Sequence, residues 1–173
     1  MIQLTFQPAL DPFHTVFRYF RLRDGLAAGF ALQYEKFKIM DFYLVFPFLI
    51  SSIRLSRGHQ KYKKMAEKYG HLKPYGELPD PHNLFSRMEP MHDAAAQSMV
   101  VKRYFSGQYF TDGEIKSTER ETPNEILVRV REANQRQDDL MGFMNILLSD
   151  YDTTGPNGLK ARTGLIEYRY DTI

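Results

Sequence analysis

The chain has 173 residues, of which 43% are hydrophobic and 25% charged, and it carries a formal net charge of +2 and no cysteine. This length suits one compact domain covering residues 1–173, and the ordinary balance of apolar and charged residues excludes disorder of the whole chain. Without cysteine, the chain has no disulfides, thiolate zinc sites, iron–sulfur clusters or cysteine nucleophiles. The net charge is too mild to indicate nucleic-acid binding by itself, so its distribution along the chain matters more.

No stretch of the sequence predicts a membrane span or an export signal. The longest apolar run, residues 42–50, is far shorter than the ~20 residues that cross a bilayer, and the first ten residues lack a basic leader with an apolar run. We therefore expect a cytoplasmic protein without a membrane partner.

The first predicted elements are a strand and an amphipathic helix. Residues 2–6 alternate apolar and polar side chains, as a half-buried strand does, and Pro8 ends the alternation. Asp11 followed by Pro12 is typical of a helix N-terminus, and Gly25 is placed to end that helix. The predicted inward face consists of apolar residues at helical spacing: Phe13, Val16, Phe17 and Phe20.

Two apolar segments separated by a proline follow. A helix is predicted over Tyr34–Val45, and it should break at Phe46 because Pro47 disfavours helical geometry in the residue before it. Pro47 then begins a second segment that runs to residue 53. Two apolar helices joined by a sharp corner are compatible with a helix-turn-helix.

A lysine-rich helix and a proline-rich loop come next. Residues 59–69 predict a helix that ends at a left-handed Gly70. Its inward face consists of Tyr62, Met65, Ala66 and Tyr69. Residues 72–81 form the main irregular loop and the candidate internal seam of the domain.

Further helices are predicted from their start and stop signals. Asp80 caps a helix that bends near Pro90 and closes at Gly107. Residues 122–125 form a capping box with proline at the first helical position, and a second helix runs from residue 138 or 139 to 148.

The strands predicted in the C-terminal half are short. Asp112 and Gly113 favour a tight turn, so a wing-like hairpin is predicted over residues 109–115. Residues 151–164 read as a loop, and residues 165–170 alternate as a closing strand. The fold class is α+β, mostly helical.

No catalytic, cofactor-binding or metal-binding signature survives a check of spacing. Residues 155–160 echo a phosphate loop, but Leu159 and Ala161 stand where glycine and Ser or Thr are needed, and the segment precedes a predicted strand. Nothing in the sequence brings Asp80, Glu114 and Lys116 together as a nuclease centre.

The histidines and serines do not form a pattern typical of a metal site or a catalytic serine. The five histidines show no i, i+4 pair, and no serine lies in a Gly-x-Ser-x-Gly elbow. We therefore predict that the chain is not an enzyme and has no catalytic residue, cofactor or metal ion.

Positive charge is concentrated between residues 54 and 73, where Glu67 is the single acidic residue. The candidate DNA-contact residues are Arg54, Arg57, Lys61, Lys63, Lys64 and Lys68. The alternative interpretation is a solvated helix face whose aromatic side packs inward.

A second basic face and a surplus of aromatic residues indicate partner proteins. His14, Arg18 and Arg21 lie on one side of the first predicted helix, for contact with a partner or with solvent. The chain has 13 Phe, 11 Tyr and 8 Met, more than one small core readily hides, and Tyr and Met are common at interfaces. The alternative is that most of these side chains fill the core.

Three stretches resemble one known protein family. They are DPFHTVFRYFRL at residues 11–22, FKIMDFYLVFPFLI at residues 37–50 and GLKARTGLIEYRYD at residues 158–171. Each is similar to the middle component of ABC three-component anti-phage and anti-plasmid systems, the group that includes the small subunit of Lamassu. The resemblance covers most of the chain, and none of the three stretches is a catalytic signature.

The resemblance implies a fold and a role. The family is similar to winged-helix proteins, which implies a winged-helix-like domain with a short hairpin and terminal strands. Its members sit between an SMC-like, Rad50-type ATPase and an effector that is often a nuclease. The C-terminal stretch would then be a docking surface, with partner contacts at Lys160, Arg162, Tyr168 and Tyr170.

Two functional hypotheses follow for the chain as a whole. The first is a non-catalytic adaptor subunit that links the ATPase to the effector nuclease and helps keep it inactive until foreign DNA is sensed, with double-stranded DNA as a candidate further partner. The alternative is a stand-alone winged-helix DNA-binding regulator.

Overall fold

Helices dominate the computed structural model of the protein, which describes residues 8–167. The α-helices are α1 Pro12–Gly25, α2 Tyr34–Val45, α3 Lys61–Glu67, α4 Pro81–Val101, α5 Gly107–Thr111, α6 Asn124–Arg136, α7 Asp138–Asp150 and α8 Leu159–Thr163. Short 3-10 helices span Pro47–Ser52, Arg57–His59 and Gly70–Leu72, and the strands are β1 Ala31–Gln33 and β2 Glu114–Lys116. None of the helices in this part of the chain is long and apolar enough to span a membrane.

Helix α1 begins and ends where predicted, but its buried side also includes charged residues. The Asp11 carboxylate accepts hydrogen bonds from the backbone N–H of Phe13 (2.7 Å) and of His14 (3.3 Å), which caps the helix. Phe20 is buried as predicted, whereas Phe13 is 84% exposed and Arg18 points inward. Val16 and Phe17 are half-buried and pack against the core, so the predicted inward face was wrong only for Phe13. It also missed Arg18, because it counted apolar side chains alone and an interior carboxylate draws Arg18 into the core.

Helix α2 lies at the centre of the molecule, with residues 36–44 all buried. It ends at Phe46 as predicted, and Pro47 begins a new segment. That segment is a 3-10 helix of six residues rather than a second α-helix. The broken helix is therefore confirmed, while the part of the chain that the structure describes does not show a helix-turn-helix pair.

The small sheet replaces the predicted hairpin. Strand β1 pairs antiparallel with β2, with Leu32 opposite Ile115. The hairpin prediction was wrong because residues 109–111 belong to α5, and Gly113, at φ 79°, turns the chain from α5 into β2. Without that hairpin, residues 8–167 do not show a winged-helix arrangement.

The predicted terminal strands have different outcomes. Residues 2–6 lie outside the described residues, as do residues 168–170 of the predicted closing strand. Residues 165–167 are described and are not a strand. The predicted loop over 151–164 contains α8, so the prediction for residues 159–163 was wrong.

Helices α3 and α4 differ from the prediction mainly at their ends. The helix predicted over residues 59–69 consists of α3 flanked by 3-10 turns, and Gly70 starts the second of these turns instead of adopting a left-handed conformation. Helix α4 is capped by Asp80 as predicted and carries Pro90 within it, but it ends at Val101. Gly107 begins α5 and does not close α4.

Helices α6 and α7 are confirmed, with one difference at the start of α6. The structure places the N-cap at Pro123 and forms no side-chain cap there. The Thr122 hydroxyl instead accepts a hydrogen bond from Arg23 at 2.7 Å. One cluster of buried hydrophobic residues extends from Ala9 to Leu165. The internal seam at residues 72–81 stays a prediction.

Candidate functional site

The predicted basic surface is exposed on α3 and the turn before it. Arg57, Lys61, Lys64 and Lys68 are all exposed and recur at intervals of four, three and four residues. Spacing of this kind places side chains on one side of a helix. These four residues are referred to below as the cationic stripe. Lys63 is half-buried and falls off this line.

The opposite side of α3 packs into the core, which fixes the position of the cationic stripe. Met65 and Tyr69 are buried as predicted, and Ala66 is 1% exposed. The Tyr69 hydroxyl donates to the Asp139 carboxylate of α7 at 2.6 Å. Helix α3 also packs against the 3-10 helix Pro47–Ser52. The lysines are therefore presented to solvent from a fixed backbone.

Little negative charge lies against the stripe. Lys68 Nζ is 3.6 Å from Asp139 Oδ2, and both side chains are substantially exposed. Lys61 Nζ lies 5.3 Å from the centroid of the Tyr62 ring. Within the described residues, Arg57, Lys61, Lys63 and Lys64 form no ion pair.

Arg54, predicted with this group, is engaged elsewhere in the chain. Its Nη2 donates to the carbonyl of Ala161 at 2.7 Å, and its backbone N–H donates to the carbonyl of Arg162 at 3.2 Å. Arg162 returns a side-chain hydrogen bond to the Arg54 carbonyl. The two arginines fasten α8 to the segment before α3, so they act first as structural ties.

A polar cluster joins the start of the stripe to the end of α7. Ser56 Oγ lies 2.9 Å from His59 Nδ1, and His59 Nε2 lies 3.1 Å from Asp150 Oδ2. The Tyr151 hydroxyl is 2.8 Å from His59 Nδ1 and accepts from the Ser56 backbone N–H at 3.0 Å. Sequence reasoning missed this cluster because Ser56 and Tyr151 are 95 residues apart.

The geometry of this cluster differs from that of a catalytic triad and suits a structural contact between two segments. In a catalytic Ser–His–Asp triad the serine faces Nε2 and the carboxylate faces Nδ1. Here the order is inverted, and the Tyr151 hydroxyl shares Nδ1 with Ser56. The cluster positions the turn that carries Arg57, the first residue of the cationic stripe.

A buried ionic network lies in the core between α1, α2 and α4. Asp41 accepts from Arg18 at both carboxylate oxygens, at 2.7 and 2.9 Å, and His92 Nε2 is 3.0 Å from Asp41 Oδ2. Arg18 also donates to the Thr15 hydroxyl and to the Pro8 carbonyl. Asp41 and His92 are fully buried.

Electrostatics keep the Asp41 carboxylate of this network ionised. Burial by itself raises the pKa of the Asp41 carboxyl, but the Arg18 charge and the hydrogen bonds from His92 and Arg18 outweigh it, so the pKa lies below its ordinary value. His92 Nδ1 has no hydrogen-bond partner among the described residues. The network therefore joins three helices through one carboxylate.

The structure corrects the predicted partner-facing basic surface on α1. Arg18 is buried, and Arg21 is buried with donors directed at Asn134 Oδ1 (2.9 Å) and Gln137 Oε1 (2.7 Å). Burial, and then the charge of Arg18, lower the pKa of Arg21 to about 10. His14 is the one member of this predicted face that is exposed.

The predicted C-terminal docking residues are likewise not all exposed. Lys160 is buried, and its Nζ pairs with Glu35 Oε2 at 2.7 Å, so the prediction that it faces a partner was wrong. Arg162 is half-buried. Tyr168 and Tyr170 lie outside the described residues.

The loop at residues 155–158 has the turn chemistry expected, and the first two amides of the helix that follows already have partners in the preceding chain. The N–H of Leu159 donates to the Asp152 carbonyl at 2.8 Å, and that of Lys160 donates to the Thr153 carbonyl at 3.1 Å. A phosphate loop needs such amides for the phosphate. One ground for rejecting a phosphate loop was wrong, since α8 and not a strand follows.

An open depression with a mixed polar and apolar lining borders this loop. It measures about 460 Å³, and its lining includes Lys36, Glu114 and Asp152. Lys36 Nζ donates to the carbonyls of Leu148 and Tyr151, so its charge stabilises the C-terminal end of α7. Within residues 8–167, no group of three or more His, Asp or Glu side chains is placed to hold a metal ion.

Comparison with known proteins identifies the family. The family model described as ABC-three component (ABC-3C) system Middle Component 5 matches residues 4–171. No curated protein and no solved structure matches the chain. Because the match covers nearly the whole chain, the protein belongs to the middle component 5 family and is one member of a three-component defence system that has partner components.

Proposed function

We propose that this chain is a non-catalytic adaptor that joins an SMC-like, Rad50-type ATPase to an effector nuclease in a Lamassu-like system. The observation that carries the proposal is the family match over residues 4–171, since a middle component works with partner components. In this proposal the adaptor helps hold the nuclease inactive until phage or plasmid DNA is sensed.

An exposed apolar pair at the start of α1 supports a protein contact. Phe13 is 84% exposed and Leu10 is 42% exposed, and both are within four residues of the exposed His14 in the sequence. Phenylalanine is enriched at the cores of protein interfaces. We propose this end of α1 as a contact with a partner component, in place of the buried Arg18 and Arg21.

Co-expression with the two partner components tests the proposal. Phe13→Ser should leave the melting temperature unchanged and weaken co-purification with the partner that α1 contacts. Val101→Ser is the matched control, because Val101 is 80% exposed and lies at the far end of α4. Full complex formation by Phe13→Ser, or equal loss in both variants, would contradict the contact at α1.

The non-catalytic part of the proposal has its own test. The purified chain is incubated with ATP, DNA or RNA in the presence of Mg²⁺, Mn²⁺ or Zn²⁺. We expect no turnover above that of a heat-denatured sample. An activity that co-elutes with the folded chain and is abolished by Ser56→Ala or His59→Ala would overturn the proposal that the chain is non-catalytic.

The second candidate is a stand-alone DNA-binding regulator, which the exposed cationic stripe favours. It predicts that the chain purifies alone even when the partner components are present. Stable co-purification with those components counts against this candidate and for the adaptor.

A further inference from the structure

The cationic stripe has a regular geometry. The backbone is helical or turn-like from residue 57 to residue 72, with Gln60 and Lys68 both in right-handed helical conformation. At a rise of about 2.0 Å per residue in the 3-10 turn and about 1.5 Å in α3, the four cations from Arg57 to Lys68 cover roughly 16–20 Å. The stripe thus presents a row of positive charges at near-constant spacing.

These charges are available to an external ligand. Within the described residues the single ion pair of the stripe joins Lys68 to Asp139, at 3.6 Å between exposed groups. Such exposed pairs contribute little and are readily exchanged. Arg54 and Arg162, the neighbouring arginines, donate to backbone carbonyls and are not part of the row.

The composition of the stripe favours nucleic acid over an acidic protein. The exposed residues of α3 are Lys61, Lys64 and Glu67, which are all charged, whereas Met65 and Ala66 of the same helix face the core. Protein interfaces are depleted in lysine and depend on buried aromatic, Met and Arg anchors. Duplex DNA instead offers closely spaced phosphates, with one negative charge per roughly 1.7 Å of axis, and lysine binds phosphate as a point charge.

We infer that the cationic stripe Arg57, Lys61, Lys64 and Lys68 binds the phosphate backbone of duplex DNA without sequence preference. Contacts to phosphate fix a protein on the duplex but carry no sequence information directly. This inference goes beyond the proposed adaptor role, because it concerns the isolated chain and a surface distinct from the apolar end of α1.

Fluorescence anisotropy of the full chain with a labelled duplex of random sequence tests the inference. Four phosphate contacts predict a slope of log affinity against log salt of about −3.6, which is a roughly 100-fold loss between about 50 and 200 mM salt. In the triple variant Lys61→Gln, Lys64→Gln, Lys68→Gln the slope should fall to about −1. A duplex of different sequence should bind equally well.

A matched control separates the stripe from overall charge. Arg87→Gln, Lys102→Gln, Arg129→Gln removes three exposed cations elsewhere and should leave affinity and slope close to those of the wild type. Circular dichroism and melting temperature confirm that both triple variants are folded. Equal effects in the two variants, or no binding by the wild type at low salt, would overturn the inference.

The same variants distinguish the competing partner. If the stripe bound an acidic surface of a partner component, its triple variant would keep wild-type DNA affinity and lose co-purification with that component. That outcome also overturns the inference. Because DNA binding is measured on the isolated chain, failure of the adaptor proposal would leave the anisotropy result unaffected.

Discussion

Arg18→Met removes the positive charge that neutralises the buried Asp41 carboxylate. The carboxylate would keep His92 as its remaining side-chain partner. Asp41 is fully buried, so water cannot replace the lost hydrogen bonds. Removing one partner of a buried ion pair leaves an uncompensated charge inside and typically destabilises the fold by about 3–5 kcal/mol.

Arg21→Met, on the same helix, is the matched control. Arg21 and Arg18 are buried to nearly the same degree, at 7% and 6% exposure. The side-chain oxygens that accept from Arg21 belong to neutral Asn134 and Gln137. Loss of the Arg21 hydrogen bonds leaves these two amide oxygens without that donor but leaves no unpaired buried charge. We therefore expect a smaller destabilisation of about 1–3 kcal/mol.

The destabilisation caused by Arg18→Met should also depend on pH. In the wild type the pKa of Asp41 is depressed, so its ionisation stabilises the fold above the unfolded pKa of about 3.9, and this stability is lost as pH falls through the folded pKa. Without Arg18, burial dominates and raises the pKa of Asp41. As pH falls from about 7 toward about 4, Asp41 of the variant becomes protonated, and the destabilisation caused by Arg18→Met decreases. The effect of Arg21→Met should stay constant over this range.

Urea unfolding followed by circular dichroism measures both differences at neutral and mildly acidic pH. With an m-value of about 2 kcal/mol/M, the midpoint should fall by roughly 2 M for Arg18→Met and by less than about 1.5 M for Arg21→Met. Equal midpoints for the two variants would refute the reasoning about the buried charge, as would an Arg18→Met effect that is the same at both pH values.

Three further substitutions test local features of the fold. Gly158→Ala should destabilise by about 1–3 kcal/mol in thermal unfolding, because its Cβ would lie 2.1 Å from the Thr154 carbonyl oxygen; a neutral effect would contradict that packing. Gly142→Ala, within α7 and with open space around the new methyl group, should stabilise by about 0.5–1 kcal/mol, and a loss of stability would argue against a helix there. Asp11→Ala should cost about 1 kcal/mol, and an unchanged unfolding midpoint would mean that the α1 cap does not form in solution.

Local signals predicted most of the helices. Asp11 and Asp80 act on the few residues that follow them, and Pro47 acts on the residue before it, so helix starts and the break after α2 are readable from short stretches. The sheet is not readable in this way. Strand β1 has three residues and pairs with β2 more than eighty residues later, so the turn signal at Gly113 was assigned to the wrong neighbours.

The burial of charged side chains was the second feature that could not be predicted from the sequence. Spacing predicted that Phe13 would be inside and Arg18 outside, and the structure reverses both. Arg18 is inside because Asp41 of α2 supplies the opposite charge there. The family resemblance placed Lys160 on a docking surface, but its side chain is buried against Glu35, which is far away in the chain. The exposed lysines of α3 were predictable, since Met65 and Tyr69 fix which side of that helix faces inward.

Native mass spectrometry of the three co-expressed components tests the adaptor proposal most directly. The proposal predicts one assembly containing the ATPase, this chain and the effector, and it predicts that the effector separates from the ATPase when this chain is omitted. An ATPase–effector assembly that forms equally well without this chain, or a chain that stays alone in the presence of both components, would contradict it.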